Sequence, residues 1–130
     1  MSDKTFEELR DYTLLWARDK DLLHEKNAEK QFMKFIEEVF EFKKEMTDYK
    51  RADELLAESK NFEGGIYYIF LEKLYNMKLE MGDIFVTLII LCEQLNLDPV
   101  ECLEKAYKKI KSRKGKTING TFIKEADLIE

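Results

Sequence analysis

The chain is short of the residues that build strand-rich, exported or membrane-embedded proteins. It has one proline and five glycines in 130 residues, so few positions punctuate it, and its 38% charged residues suit helices with solvated faces. Those figures exclude a strand-rich sandwich and a disordered chain. Its two cysteines, Cys92 and Cys102, have neither CxxC nor Cys/His spacing, which reads as small buried apolar side chains in a reducing cytoplasm. The single histidine, His24, falls in a connection and reads as an exposed loop residue. No long apolar run exists: the longest, Ile84 to Cys92, is too short to span a bilayer. The N-terminal MSDKTFEELRDY carries acids where a signal peptide needs an apolar centre, so the expectation is a cytoplasmic protein. There is also no basic excess. With 22 basic against 27 acidic residues the net charge is −5, which disfavours nucleic acid as a partner.

What is present is apolar material in helical register. At 45% hydrophobic residues the chain has enough for one compact core without a metal or disulfide staple. Thr5 to about Lys20 reads as a first helix with Phe6, Leu9, Thr13 and Trp16 on one face. After a connection at Asp21 to Lys26, Asn27 reads as the cap of a second helix from Ala28 to about Tyr49. Its stripe of Phe32, Phe35, Ile36, Val39, Phe42 and Met46 belongs in a core. Lys50 to Phe70 reads as a short helix and a loop, broken at Gly64 and Gly65.

A third helix spans about Leu71 to Leu95. Between Ile84 and Cys92 its apolar residues surround the axis, so a second subunit is expected to supply part of its cover. Asp98, Pro99 and Glu101 start a fourth helix that runs to about Ser112. Asn119-Gly120 between alternating residues predicts a hairpin. The expected fold is therefore all-α and four-helix bundle-like over residues 1–112, with a basic C-terminal tail or hairpin at 113–130 folded on it.

The chemistry-bearing residues are acids. Glu38, Glu41 and Glu45 share one edge of the second helix, with Glu37 beside them. Such a run alone is most often a solvated face. Glu80 and Asp83 change the reading, because Asp83 opens directly into the apolar segment IFVTLIILC, where an ionised carboxylate is costly unless paired or bound to a cation. Two such pairs on facing helices suggest a shared cation. Oxygen-only donors select a hard ion, Mg²⁺ with Mn²⁺ as a substitute, and Mg²⁺ favours completion by substrate phosphates. A di-iron bundle competes, but it wants Glu-x-x-His on two helices. The other charged feature runs from Lys108 to Lys116, where Arg113, Lys114 and Lys116 lie past the helix end beside Gly115. These three suit either phosphate contact or plain complementation of the helix dipole.

Together, EEVFE (Glu37 to Glu41) and EMGDIF (Glu80 to Phe85) resemble the E-x-x-E and E-x-x-D motifs of the MazG-like nucleoside triphosphate pyrophosphohydrolases. WARDKDLL, NAEKQFMKFIEE, LNLDPVECLEKAYKKIKSRKGK and NGTFIKE extend the likeness along most of the chain. The resemblance implies a MazG-type helical domain that forms a homodimer or homotetramer. It also implies hydrolysis of a ribo- or deoxynucleoside triphosphate to monophosphate and pyrophosphate. By position, Glu38, Glu41, Glu80 and Asp83 would hold Mg²⁺, with Glu38 or Glu41 orienting the attacking water or taking its proton. Glu37 and Glu45 would be neighbours of that site. Lys34, Arg113, Lys114 and Lys116 would contact phosphate, and Trp16, Asn27 and Gln31 are candidates for the base and sugar pocket, weighed against core packing, capping and solvent respectively. One departure is the stretch between Glu41 and Glu80, longer than the usual connection in that family. Two other readings compete: a helical oligomerisation or nucleotide-sensing module without catalysis, and a related hydrolase acting on phosphoribosyl-ATP.

Overall fold

The computed structural model describes residues 2–59 and 64–128. Four α-helices carry most of them: α1 (Phe6–Asp19), α2 (Ala28–Ser59), α3 (Gly65–Gln94) and α4 (Pro99–Ile110), followed by strands β1 (Gly115–Ile118) and β2 (Thr121–Lys124). The chain divides into two compact units, one up to Leu97 and one from Asp98.

In the first unit, α1 begins at a capping box. Thr5 accepts from the Glu8 amide at 3.1 Å while the Glu8 carboxylate accepts from the Thr5 amide at 3.3 Å. α1 and α3 end in the same way. Leu22 N–H donates to the Ala17 carbonyl and Asp21 N–H to that of Arg18; Leu97 and Asn96 repeat this pattern on Cys92 and Glu93. This is the Schellman arrangement, with Asp21 (φ 59°) and Asn96 (φ 58°) in the left-handed region that glycine usually fills.

The expected cap at Asn27 is corrected. Asn27 closes a 3₁₀ turn, Glu25–Asn27, that leads directly into α2, and its amide donates to the His24 carbonyl. α2 also runs a further ten residues past Tyr49, and α3 starts at Gly65 rather than Leu71. Of the stretch expected to hold a short helix and a loop, residues 50–59 are thus the end of α2 and residues 65–70 the start of α3. Ala52 and Leu56 are buried between them, and Tyr49 stacks on Phe70 with ring centroids 5.5 Å apart. The loop expected across KNFEGG falls partly on residues 60–63, which lie outside the described residues.

α2 and α3 pack antiparallel. Gln31 meets Thr87, Asp48 meets Lys73 and Tyr49 meets Phe70, so numbers that rise on α2 fall on α3. α1 packs on the far side of α3. Phe6 meets Phe85 edge-on at 6.0 Å, and Leu9, Arg10 and Thr13 enclose a cavity with Gly82, Val86 and Ile89. α3 is therefore the middle layer, with α2 and α1 on opposite faces. Gln94, 6% exposed, fastens the connection after α1 to α3 by donating from Nε2 to the Leu22 carbonyl at 2.8 Å.

Burial is narrower than the apolar stripes suggest. Among the described residues the buried apolar side chains are Ala17, Ala52, Leu56, Ile89, Ile90 and Cys92. Phe32 and Val39 of the α2 stripe are exposed, as are Phe6, Leu9 and Trp16 of the α1 face and Phe85 within the segment expected to be covered on all sides. Cys102 is exposed too, against the expectation of burial.

In the second unit, the Asp98 side chain caps α4 by accepting from the Val100 amide at 3.1 Å, with Pro99 at the first helical position. α4 ends at Ile110, two residues before the expected Ser112. The predicted hairpin forms with Gly115 opposite Lys124 and Ile118 opposite Thr121. Asn119 (φ 51°) and Gly120 (φ 79°) make its turn, the pair of positive φ values that a type I′ turn requires.

Candidate active site

The antiparallel register of α2 and α3 brings the two acidic motifs to the same level. Glu38 on α2 and Glu80 and Asp83 on α3 each offer one carboxylate oxygen, and the three oxygens lie within 4.8 Å of one another. Helical spacing explains the pair on α3, since residues three apart share a face. Glu38 and Glu80 are half-buried, while Asp83 is exposed at the open edge of the cluster. Glu41, named with these three from sequence, is exposed and outside this tight group; it lies one turn further along α2. Its charge still acts on Glu80.

Electrostatics make the cluster costly without a counter-charge. The Glu80 carboxyl holds its proton above the ordinary carboxylate range. Loss of hydration is the main cause, followed by its hydrogen bond with Glu38 and the negative charges of Asp83, Glu38 and Glu41. Oε2 of Glu80 is sealed from solvent with no hydrogen-bond partner, and so is Oε2 of Glu45, further along α2. Three converging carboxylates with an unpartnered buried oxygen form a donor set that fits a hard divalent cation. No protein-family model, curated protein or solved structure matches this chain. The site is therefore read from its own geometry.

The remaining candidates are distributed around this cluster and beyond it. Gln31 does not face solvent: its Nε2 donates to the Thr87 carbonyl at 3.2 Å and ties α2 to α3 one turn past Asp83. Lys34 pairs with Glu37 at 3.1 Å, an exposed pair that costs little to break. Trp16 is half-exposed rather than packed in the core, and it lines a cavity of about 370 Å³ with Tyr12, Thr13 and Val86. Val86 follows Asp83 by three residues, but the cavity lies on the α1 side of α3, whereas Glu80 and Asp83 meet Glu38 of α2. Sequence reading missed Tyr12, whose signal was its position one turn before Trp16. Asn27 is half-buried in its 3₁₀ turn. A larger, apolar cavity of about 470 Å³ lies between the start of α2 and the end of α3, lined by Phe32, Met33, Leu91 and Leu95; it holds none of the clustered acids.

Arg113, Lys114 and Lys116 belong to the second unit, at the entry to β1. Arg113 is half-buried and the two lysines are exposed. His24 is exposed as expected, its Nε2 2.6 Å from the Asp21 carboxylate. That contact lowers the Asp21 pKa, through the hydrogen bond first and the charge second. Among the described residues no helix is long and apolar enough to cross a membrane.

Proposed function

We propose that this protein is a Mg²⁺-dependent nucleoside triphosphate pyrophosphohydrolase of the MazG-like kind, converting a ribo- or deoxynucleoside triphosphate to its monophosphate and pyrophosphate. The observation that carries the reading is the convergence of Glu38, Glu80 and Asp83 from two facing helices within 4.8 Å, around a buried carboxylate oxygen without a donor. Glu38, Glu80 and Asp83 would hold the cation, Mg²⁺ or Mn²⁺ in its place, with Glu41 at the edge of the set. When bound, such an ion neutralises phosphate charge and makes water more acidic.

The chain's own groups do the rest. Glu41 or Glu38 orients the attacking water toward the α-phosphorus and takes its proton, and the α–β bridging oxygen leaves with pyrophosphate. Lys34, one turn before Glu38, would stabilise the charge that gathers on the leaving group. Trp16 and Tyr12 offer aromatic faces for the base, whereas the Gln31 amide is already engaged by Thr87. The working form in this reading is a homodimer or homotetramer, acting in the cytoplasm to control or clean the nucleotide pool.

The test is pyrophosphate release from a panel of ribo- and deoxynucleoside triphosphates and phosphoribosyl-ATP, with Mg²⁺ and with EDTA. Wild type is compared with Glu38→Ala and Asp83→Ala. Cation-dependent turnover lost in both variants is the expected result. Absence of turnover on every substrate, together with no Mg²⁺ binding, would overturn the reading in favour of a non-catalytic helical module.

A further inference from the structure

The face of α3 that receives α1 is longer than α1. On that face Ile89 is buried and Val86 half-buried beside α1, Phe6, Leu9 and Thr13 line one cavity with them, and α1 begins at the level of the exposed Gly82. Stepping back from Gly82 toward the N-terminus of α3 by three, four, four and three residues, the same face continues as Leu79, Tyr75, Leu71 and Tyr68. None of these four is covered: Tyr68 is 69% exposed, Tyr75 62%, Leu79 50% and Leu71 39%. An apolar stripe with helix-packing periodicity, covered along one half and bare along the other, is a packing face with an occupant missing. Its bare length, from Tyr68 to Leu79, is about 17 Å.

We propose that this half of α3 is the docking surface for a second copy of the chain, through the same stripe run antiparallel about a two-fold axis. This deepens the homo-oligomer in the function proposed above by naming its surface, and it stands or falls independently of the chemistry. Three features favour a second copy. First, the stripe is self-complementary in size. With the axis between Leu71 and Tyr75, Tyr68 meets Leu79 of the second copy and Leu71 meets Tyr75 of the second copy, so each ring opposes an aliphatic side chain.

Second, the register fits the space. Gly65, the first residue of α3, falls opposite Gly82 of the second copy, where that copy's α1 begins, so each helix fills the bare half and stops at the occupied one. Third, the area suffices. The two tyrosines alone expose on the order of 250 Å² in each copy, and with both leucines and the helix flanks the paired surface reaches about 1,000 Å² in total, the lower end of specific interfaces.

The deciding experiment is sedimentation equilibrium on wild type and Tyr75→Glu, with circular dichroism to confirm that the exposed substitution leaves the helices intact. Alongside it, a Tyr68→Cys/Leu79→Cys variant is oxidised in a Cys92→Ala/Cys102→Ala background, with Phe40→Cys, on the outer face of α2, as the control. The expected result is a dimer whose dissociation constant rises about tenfold or more in Tyr75→Glu. Disulfide dimers should form in the Tyr68→Cys/Leu79→Cys variant and not in the control. A monomeric wild type at high micromolar concentration would overturn the proposal. So would a dimer indifferent to Tyr75→Glu, or one that fails to cross-link at Tyr68 and Leu79.

Discussion

Glu80 shows how one side chain ties stability to the proposed chemistry. Its pKa is raised in the folded state, mainly by burial, so the folded chain holds this proton more tightly than the unfolded chain does. The stability this contributes is fully present below the ordinary carboxylate pKa, about 4.3, and is lost as pH rises through the raised folded value. Once ionised, Glu80 faces the carboxylates of Glu38 and Asp83 across the cluster. Glu80→Gln removes that charge while keeping a hydrogen-bonding group of the same shape. In EDTA the variant should therefore melt a few degrees above wild type at pH 7.5, with the gap closing at pH 4, and Mg²⁺ should raise its melting temperature less than it raises wild type's. Thermal unfolding by circular dichroism at both pH values checks this; a variant that melts below wild type at both would count against the charge argument. Glu80 was legible in the sequence because its three-residue spacing to Asp83 and the apolar run that follows both survive in one dimension. The sealed oxygen of Glu45 was not, since it depends on how closely α3 covers α2.

At the scale of elements, the Asp98 cap and the hairpin turn read well, the Asn27 cap did not, and tertiary extension read poorly. Asp98 and Asn119-Gly120 act within a few residues of themselves, so their signals are local and the structure keeps both, while Thr5, read as the first helical residue, is the cap of α1. The distal half of the α2–α3 hairpin has no such local signal. Arg51 to Ser59 is helical because Ala52 and Leu56 are buried against α3, and Gly64 and Gly65 cap and open α3. Leu56→Ala should accordingly cost about 2 kcal/mol, the low end for a buried leucine, because the hairpin tip can collapse around the missing atoms. Urea unfolding measures it, and a cost near zero would mean that the distal arm adds nothing to the cooperative unit. The end of α3 gives a second, conformational test. Asn96 holds φ at 58° to close the helix, so Asn96→Ala should destabilise by about 1 kcal/mol whereas Asn96→Gly should be nearly neutral. Equal losses in both variants would assign the effect to the asparagine side chain instead of its backbone.

For the whole molecule the deciding quantity is how little one chain buries. A domain is stable by a small margin between burial and conformational entropy, and side chains half in water contribute only part of their transfer free energy. Here the fully buried apolar set among the described residues is short and rich in small or medium side chains, while Tyr12, Trp16, Phe40, Tyr68 and Tyr75 stay exposed. The sequence placed the missing cover around Ile84 to Cys92, where Ile89, Ile90 and Cys92 are already buried within one chain. What it did not reveal is the direction in which cover is missing, because that depends on α1 occupying only one half of the outer stripe. If a second copy completes the stripe, folding and association are linked, and stability must depend on protein concentration through mass action. The melting temperature should then rise by several degrees between low and high micromolar protein in wild type and stay flat in Tyr75→Glu, as followed by intrinsic fluorescence. A wild-type melting temperature that ignores concentration would show that one chain is stable alone despite its exposed rings, and the bare half of α3 would need another explanation.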